Sequence, residues 1–176
     1  MQLLTNERNH AEHYADAFCG RQSRQHGKTL AKQIAQCDEV TASLMAQDAQ
    51  LAHKASRLQA IPGVGPVVVA TVLAEMPELG KLNRRTAAAL AGAVPYNRDS
   101  GGQKGLRSIQ GGHSAVRNAL YMATLTAMRH DRTFKAFYLR LRTARKKPLV
   151  AMTAVMRKLI ILMNHLLKDE HFQLAS

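Results

Sequence analysis

One serine of the chain has the surroundings of a nucleophile. Ser100 lies between Asp99 and the pair Gly101-Gly102. A phosphoryl-transfer nucleophile needs an exposed hydroxyl on backbone that can approach the scissile phosphate, a proton acceptor, and cations that offset charge in the transition state. The glycines meet the first need and Asp99 is a candidate acceptor; no histidine has an obvious spacing for a base, although a chain that folds back would bring His113 near. The surrounding cations are Arg98, Lys104, Arg107 and, further along, Arg117.

The same residues also fit a simpler structure. Serine-glycine pairs are common in solvated turns, where glycine supplies conformations that other residues avoid. The residue types around Ser100 therefore leave two interpretations open, a turn and a catalytic loop.

A second candidate site is the glycine-rich turn Ile61-Pro62-Gly63-Val64-Gly65-Pro66, which is flanked by helical patterns. This order is typical of a helix-hairpin-helix element. Gly63 and Gly65 allow a tight turn, and the amides of Val64, Gly65 and the next helix start can point at a phosphate, favoured by the helix dipole. Binding of this kind follows the DNA backbone and ignores base sequence. The alternative is a plain turn between two helices.

The charge of the chain favours a polyanionic partner. The 176 residues include 25 Lys and Arg against 12 Asp and Glu, for a formal net charge of +13. Most of the excess lies after residue 60, so we expect the second part of the chain to face the partner. Nucleic acid fits this balance best, with an anionic membrane surface as the second choice.

Periodicity predicts an all-α protein with a long helical segment at its start. From Leu30 to Leu58, apolar residues recur every three or four positions, as in a coiled coil, although Thr41 and Asp48 interrupt the seam. Gly20 and Gly27 are expected to separate this helix from a first one over residues 2–18. The two helices could pair as an antiparallel hairpin, or the long one could pack on the second domain.

The second part of the chain is predicted to form a compact helical domain. Capping signals predict helices over 66–76, 83–91, 114–129, 133–144 and 148–168, with a loop over 94–112 that is rich in glycine and charge. We therefore divide the chain into a helical linker or coiled coil, residues 1–59, and a serine-bearing domain, residues 60–176. In the last helix the stripe that includes Met152, Met156 and Met163 is expected to fill the core.

Other classes of protein are disfavoured. Cys19 and Cys37 show no metal-ligand spacing and are expected to be reduced thiols that are buried or half-buried. The N-terminus lacks the pattern of a secretory signal. The most apolar segment, 148–168, carries Arg157 and Lys158 at its middle, which is costly at a bilayer centre. We expect a cytoplasmic protein with no membrane partner.

The chain resembles a known family in the order of five segments: IPGVGPVVVATVLAEMPELG, LNRRTAAALAGAVPYNRDSGG, RSIQGGHSAVRNALYMATLTAMRHD, FYLRL and AMTAVMRKLIILMNHLLKD. Together they are similar to the C-terminal transposase domain of the bacterial insertion-sequence one-ten family. These are DEDD-type transposases that act as bridge-RNA-guided recombinases. The resemblance covers about residues 60–169, and residues 1–59 are similar to the family's linking coiled coil.

The resemblance implies a role for the predicted loop over 94–112, which contains Ser100 and which we call the serine loop. In the family, the serine of the S-G-G loop attacks a DNA phosphodiester and forms a phosphoserine link, which allows strand exchange without hydrolysis. Ser100 matches that serine, Asp99, Gly101 and Gly102 match its neighbours, and Arg107 and Arg117 fall at the basic positions after it. Ser108 and Ser114 are expected to be loop and cap serines. Duplex DNA, a guide RNA and further protomers or a full-length transposase are the implied partners.

One departure from the family pattern limits the expected activity. Family members begin with an RNase H-like domain whose four acidic residues bind Mg²⁺, and no such domain precedes the match here. The acids before residue 60 follow a helical pattern, so no metal ligand is assigned in this chain. We expect a transposase fragment that is inactive alone, and the alternative is a non-catalytic remnant that binds nucleic acid or oligomerises.

Overall fold

The fold is all-α, as predicted. The computed structural model describes residues 2–13, 16–96, 108–109 and 111–174. Within those ranges the helices are α1 (Gln2–His13), α2 (Ala17–Gln47), α3 (Ala49–Gln59), α4 (Pro66–Glu75), α5 (Arg84–Leu90), α6 (Ser114–His130), α7 (Arg132–Thr143) and α8 (Pro148–Lys168). Two short strands, β1 (Pro95–Tyr96) and β2 (Ser108–Ile109), pair antiparallel and join the two sides of the serine loop.

The first compact unit, residues 1–47, is an antiparallel hairpin of α1 and α2. The Ser23 hydroxyl lies 3.0 Å from the Glu7 carbonyl oxygen and 2.8 Å from the Glu7 carboxylate, and His26 Nδ1 lies 3.2 Å from the same carboxylate. Further along, a Cβ at Gly27 would lie 3.9 Å from Leu4. These contacts run in opposite directions along the two helices, so of the two arrangements that the sequence left open the antiparallel hairpin is the one that forms.

The predicted break at Gly20 and Gly27 is wrong. Both glycines lie inside α2, and α1 already ends at His13. The signal for the start of α2 is Asp16, whose carboxylate accepts hydrogen bonds from the amides of Phe18 and Cys19. Glycine inside a helix costs only about 1 kcal/mol relative to alanine, and the long helix absorbs that cost.

The expected continuous helix from Leu30 to Leu58 is also interrupted. Asp48 has extended backbone angles, and its carboxylate accepts hydrogen bonds from the amides of Gln50 and Leu51. Since this is N-cap geometry, it ends α2 and starts α3. The second compact unit begins at Asp48, so α3 belongs with the helices that follow it, whereas the sequence-based boundary falls at its other end.

Helix α8 lies at the centre of the second unit, where it contacts α3, α5, α6 and α7. By length and composition it is the one helix of the described residues that could cross a membrane, and half of its apolar window is buried inside the protein. A core helix passes the same test. Met152, Met156 and Met163 are all buried, which confirms their predicted place in the core.

A buried amide ties the segment after α4 to the C-terminal part of α8. Asn164, only 4% exposed, accepts a hydrogen bond from the Gly80 amide at 2.9 Å and donates one to the Leu82 carbonyl at 2.8 Å. The chain then enters α5, where Asn83 is the predicted N-cap and accepts hydrogen bonds from two amides of the first turn. These bonds fix the approach to the serine loop.

Candidate nucleic-acid interface and serine loop

The glycine-rich turn joins two helices that pack against each other, α3 and α4, and its first glycine packs closely against a third helix, α6. Gly63 has a φ of +88°, and a Cβ at this position would lie 2.4 Å from the Ala127 backbone nitrogen and 2.9 Å from the Ala123 carbonyl oxygen in α6. No side chain fits at that distance. The predicted need for glycine at Gly63 therefore has a packing cause: the turn is pressed onto α6.

The second glycine is open. Gly65 is the N-cap of α4, with a φ of −86°, and nothing lies within 4 Å of a Cβ built there. The Val64 amide already donates to the Ile61 carbonyl at 3.1 Å, so it is used inside the turn. Among the described residues, the amides of Gly65, Val67 and Val68 have no hydrogen-bond partner. The donors that this geometry offers to an anion are therefore at Gly65 and the first turn of α4.

The residues of the predicted catalytic loop lie outside the described ranges. They are Arg98, Asp99, Ser100, Gly101, Gly102, Lys104 and Arg107. The structure does describe the chain on either side, where β1 pairs with β2 through Pro95 with Ile109 and Tyr96 with Ser108. Both ends of the loop therefore meet at one place, which we call the neck of the serine loop: residues 90–96 and 108–117, as far as they are described.

Backbone-to-backbone packing closes the neck. Gly112 has a φ of +70°, and a Cβ there would lie 2.5 Å from the Gly92 nitrogen and 2.6 Å from the Leu90 carbonyl oxygen. The His113 amide donates to that same carbonyl at 2.7 Å. The segments before and after the serine loop are thus in direct contact.

Arg117, one of the predicted catalytic residues, lies at the neck. Its Nη1 donates a hydrogen bond to the Gly111 carbonyl oxygen at 3.0 Å. A Cβ at Gly92 would come within 2.6 Å of the same nitrogen, so the guanidinium passes directly over this glycine. The side chain therefore lies against both sides of the neck and places a positive charge at the base of the loop.

A histidine–carboxylate pair lies beside this arginine. His113 Nδ1 is 3.3 Å from Glu75 Oε2 at the end of α4, and both side chains are partly exposed. Sequence reasoning named His113 only as a residue that folding could bring near, and it missed Glu75, because two residues 38 positions apart leave no spacing signal. The predicted cap serine Ser114 is the first residue of α6, and His113 occupies the N-cap position.

The cations of the described chain are not paired with carboxylates. Within the part of the chain that the structure describes, no lysine or arginine nitrogen lies within 4.0 Å of an Asp or Glu oxygen. Arg57 is held instead by carbonyl oxygens of Asp169, Glu170 and Phe172, next to the end of α8. The positive charge of the second unit is consequently available to a partner.

No metal site is found in the described residues: no group of three or more His, Cys, Asp and Glu could hold an ion. The Mg²⁺ that the family resemblance implies therefore does not fit the described residues of this chain.

Comparison with known proteins adds one finding. No curated protein matches the chain. The model of the transposase IS116/IS110/IS902 family matches residues 55–139, a region that includes the glycine-rich turn, the serine loop with its neck, and helices α4 to α6. This is the family that the order of the motifs indicated, and the chain therefore contains, over residues 55–139, a domain of the transposase IS116/IS110/IS902 family.

Proposed function

We propose that this chain is the serine-bearing, DNA-binding part of a transposase, and that Ser100 is the nucleophile of strand transfer. The observation that carries the proposal is the closed neck: a family transposase domain holds both ends of an S-G-G loop together beside a cation and a histidine–carboxylate pair. A nucleophile loop must present its hydroxyl on a fixed base, and the neck supplies that base.

The proposed reaction is a transesterification. The Ser100 hydroxyl loses its proton, and its Oγ forms a bond to the phosphorus of a DNA phosphodiester. The bond from phosphorus to one bridging oxygen breaks, and that oxygen takes up a proton to become a hydroxyl end. No water is consumed and the number of phosphate ester bonds is unchanged, so a second strand end can reverse the step and release the serine.

The chain offers candidates for the supporting roles. Asp99 and His113 are the candidate proton acceptors, and Glu75 would orient the His113 ring. Arg117, Arg107, Arg98 and Lys104 would offset the charge that develops on the phosphate oxygens. The Mg²⁺-binding carboxylates of the family would come from another polypeptide or domain.

The hairpin of α3 and α4 is proposed to hold the DNA backbone. Its open amides at Gly65 and the start of α4 suit a phosphate, and the absence of a charged side chain from the turn suits binding without sequence preference. Gly63 would act indirectly, by fixing the turn on α6. A guide RNA, homo-oligomers and a cytoplasmic location remain proposals that rest on the family resemblance.

The direct test of the reaction is adduct trapping. A labelled duplex is incubated with the chain in the presence of an intact family transposase, and protein–DNA adducts of this chain's mass are collected after denaturation. Ser100→Ala should abolish the adduct, whereas Ser114→Ala, at the first residue of α6, should leave it. An adduct that persists in the Ser100→Ala protein would remove Ser100 from the role.

A second candidate function, interference through oligomerisation, is favoured by one observation. Beyond the region that α1 covers, the seam of α2 is exposed: Leu44 is 59% exposed, Thr41 is exposed, and Cys37 is exposed as well, contrary to its expected burial. Val40, beside the seam, is also 59% exposed. Such a seam could pair with the same helix of an intact transposase. Co-expression with an intact relative tests this, and an unchanged transposition frequency would exclude interference.

A further inference from the structure

The last two long helices carry a one-sided charge that neither the glycine-rich turn nor the serine loop explains. Residues 132–168 contain ten Lys and Arg and no Asp or Glu. They form α7 and α8, which pack against each other as a hairpin. Five of the ten cations fall within eight residues at its tip: Arg140, Arg142, Arg145, Lys146 and Lys147. We call these five residues the basic tip.

The basic tip is an ordered turn. The amides of Ala144, Arg145 and Lys146 donate to the carbonyls of Arg140, Arg142 and Leu141, and the Arg142 guanidinium donates to the Lys146 carbonyl. Arg145 has a φ of +57° and, among the described non-glycine residues, is the one in the left-handed region. These bonds hold the turn backbone in one conformation although all five cations are exposed.

Aromatic packing fixes further cations beside the tip. The Arg140 guanidinium lies 5.1 Å from the centre of the Phe137 ring, and Lys158 Nζ of α8 lies 5.0 Å from the same centre. Contacts of this kind orient a cation without neutralising it. Positive charge therefore extends from the basic tip along the contact between α7 and α8.

We infer that the basic tip is a docking surface for the phosphate backbone of duplex DNA, separate from the glycine-rich turn. This rests on the proposed function and adds a second contact surface to it. The tip lies beyond the family match, which ends at residue 139. Unpaired cations on an ordered turn suit a fixed array of phosphates. The segment 139–150 has no aromatic residue, so it offers no platform on which unpaired bases could stack, and a duplex fits better than a single strand.

The test compares two variants of equal charge by fluorescence anisotropy with a mixed-sequence duplex across a salt series. The tip variant is Arg145→Asn, Lys146→Gln and Lys147→Gln, in which Asn tolerates the left-handed backbone. The control is Arg21→Gln, Lys28→Gln and Lys32→Gln, on the exposed side of α2. Each lost phosphate contact should reduce the slope of log affinity against log salt by about 0.9, so the tip variant should lose about 2.7 and the control close to none.

A measurement on the unaltered protein guards against misfolding of the variant. Lys146 and Lys147 should be protected from acetylation when duplex is present, while Lys28 and Lys32 should react at the same rate with and without it. The double variant Lys146→Gln, Lys147→Gln leaves Arg145 in place and should reduce the slope by about 1.8.

The other outcomes separate the two proposals. If the unaltered chain binds duplex and both triple variants lose affinity equally, net charge explains the binding and the tip is not a docking surface. If single-stranded RNA binds with the same dependence on the tip, duplex DNA is the wrong partner.

A lipid surface is the other partner that the test must distinguish. Leu149 is 72% exposed beside the tip, and tip-dependent pelleting with vesicles of phosphatidylcholine and phosphatidylserine would indicate a lipid surface instead of DNA. If the unaltered chain binds no duplex even at low salt, the proposed function itself fails.

Discussion

The two units of the chain are both helical, but they are stabilised in different ways. Every buried apolar side chain of the described residues lies at or after Ala55, in the second unit, whereas the buried residues of α2 are Gly20 and Ser23. Helix pairing without a core depends on helix propensity and a few polar contacts, and isolated helices are marginal in water. The candidate sites therefore lie in the unit that has a buried apolar core. The stability of the first unit should be sensitive to substitutions that alter only helix propensity or a single polar contact.

The largest expected loss of stability comes from a substitution at Gly63, the glycine that packs the turn between α3 and α4 against α6. Gly63→Ala places a Cβ 2.4 Å from the Ala127 nitrogen on a backbone with φ of +88°, and it should lower the free energy of unfolding of the second unit by about 3 kcal/mol. Urea unfolding followed by circular dichroism measures this change.

The neighbouring glycine is the matched control for that experiment. Gly65→Ala meets open space at an ordinary φ, so the free energy of unfolding should change by less than about 0.5 kcal/mol. Equal losses in the two variants would contradict the packing of the turn on α6.

A smaller loss is expected inside the core of the second unit. Asn164→Leu leaves the Gly80 amide and the Leu82 carbonyl without partners, and it should lower the free energy of unfolding by about 2 kcal/mol. Arg157→Ala, on the exposed side of the same helix, is the control and should be close to neutral. A stable Asn164→Leu protein would mean that water replaces both hydrogen bonds.

Substitution of a glycine in the first unit should instead raise the stability of its helix. Gly27 lies inside α2, and an added Cβ would make only an ordinary contact with Leu4 at 3.9 Å. Gly27→Ala should stabilise α2 by about 1 kcal/mol, because alanine has the higher helix propensity. Hydrogen exchange of the α2 amides should slow, and the reverse change at an exposed position of the same helix, Ala35→Gly, should speed it.

The smallest effect is a pH dependence confined to the first unit. The Ser23 hydroxyl, and after it His26, hold the pKa of Glu7 below its ordinary value of 4.5. A carboxyl whose pKa is lower in the folded state stabilises the fold above its unfolded pKa, and that contribution is lost as the pH falls through the folded value. Exchange protection of α1 should therefore decrease as the pH falls below the ordinary Glu7 pKa of 4.5 and through the lower folded value, and Ser23→Ala should weaken this dependence.

The sequence predicted the helices of the second unit closely, because their ends carry strong local signals such as Asn83, Pro66 and Pro148. It misplaced the helix ends in the first unit, where Gly20 and Gly27 were weighted above the cap at Asp16, and at the start of the second unit, where Asp48 was treated as a flaw in a heptad although it starts a helix. The pair of Glu75 and His113 and the contact of Gly63 with Ala127 join residues far apart in the chain, and local patterns do not encode them.

Helix α6 connects the two candidate sites, the glycine-rich turn and the neck of the serine loop, at a fixed distance. Ala127 near one end receives the glycine-rich turn, and Arg117 near the other lies across the neck of the serine loop. Ten residues of α-helix span about 15 Å, roughly the rise of four to five base pairs at about 3.4 Å each. If the proposed function holds, a phosphate bound at the turn between α3 and α4 would lie about this distance along the duplex from the neck of the serine loop.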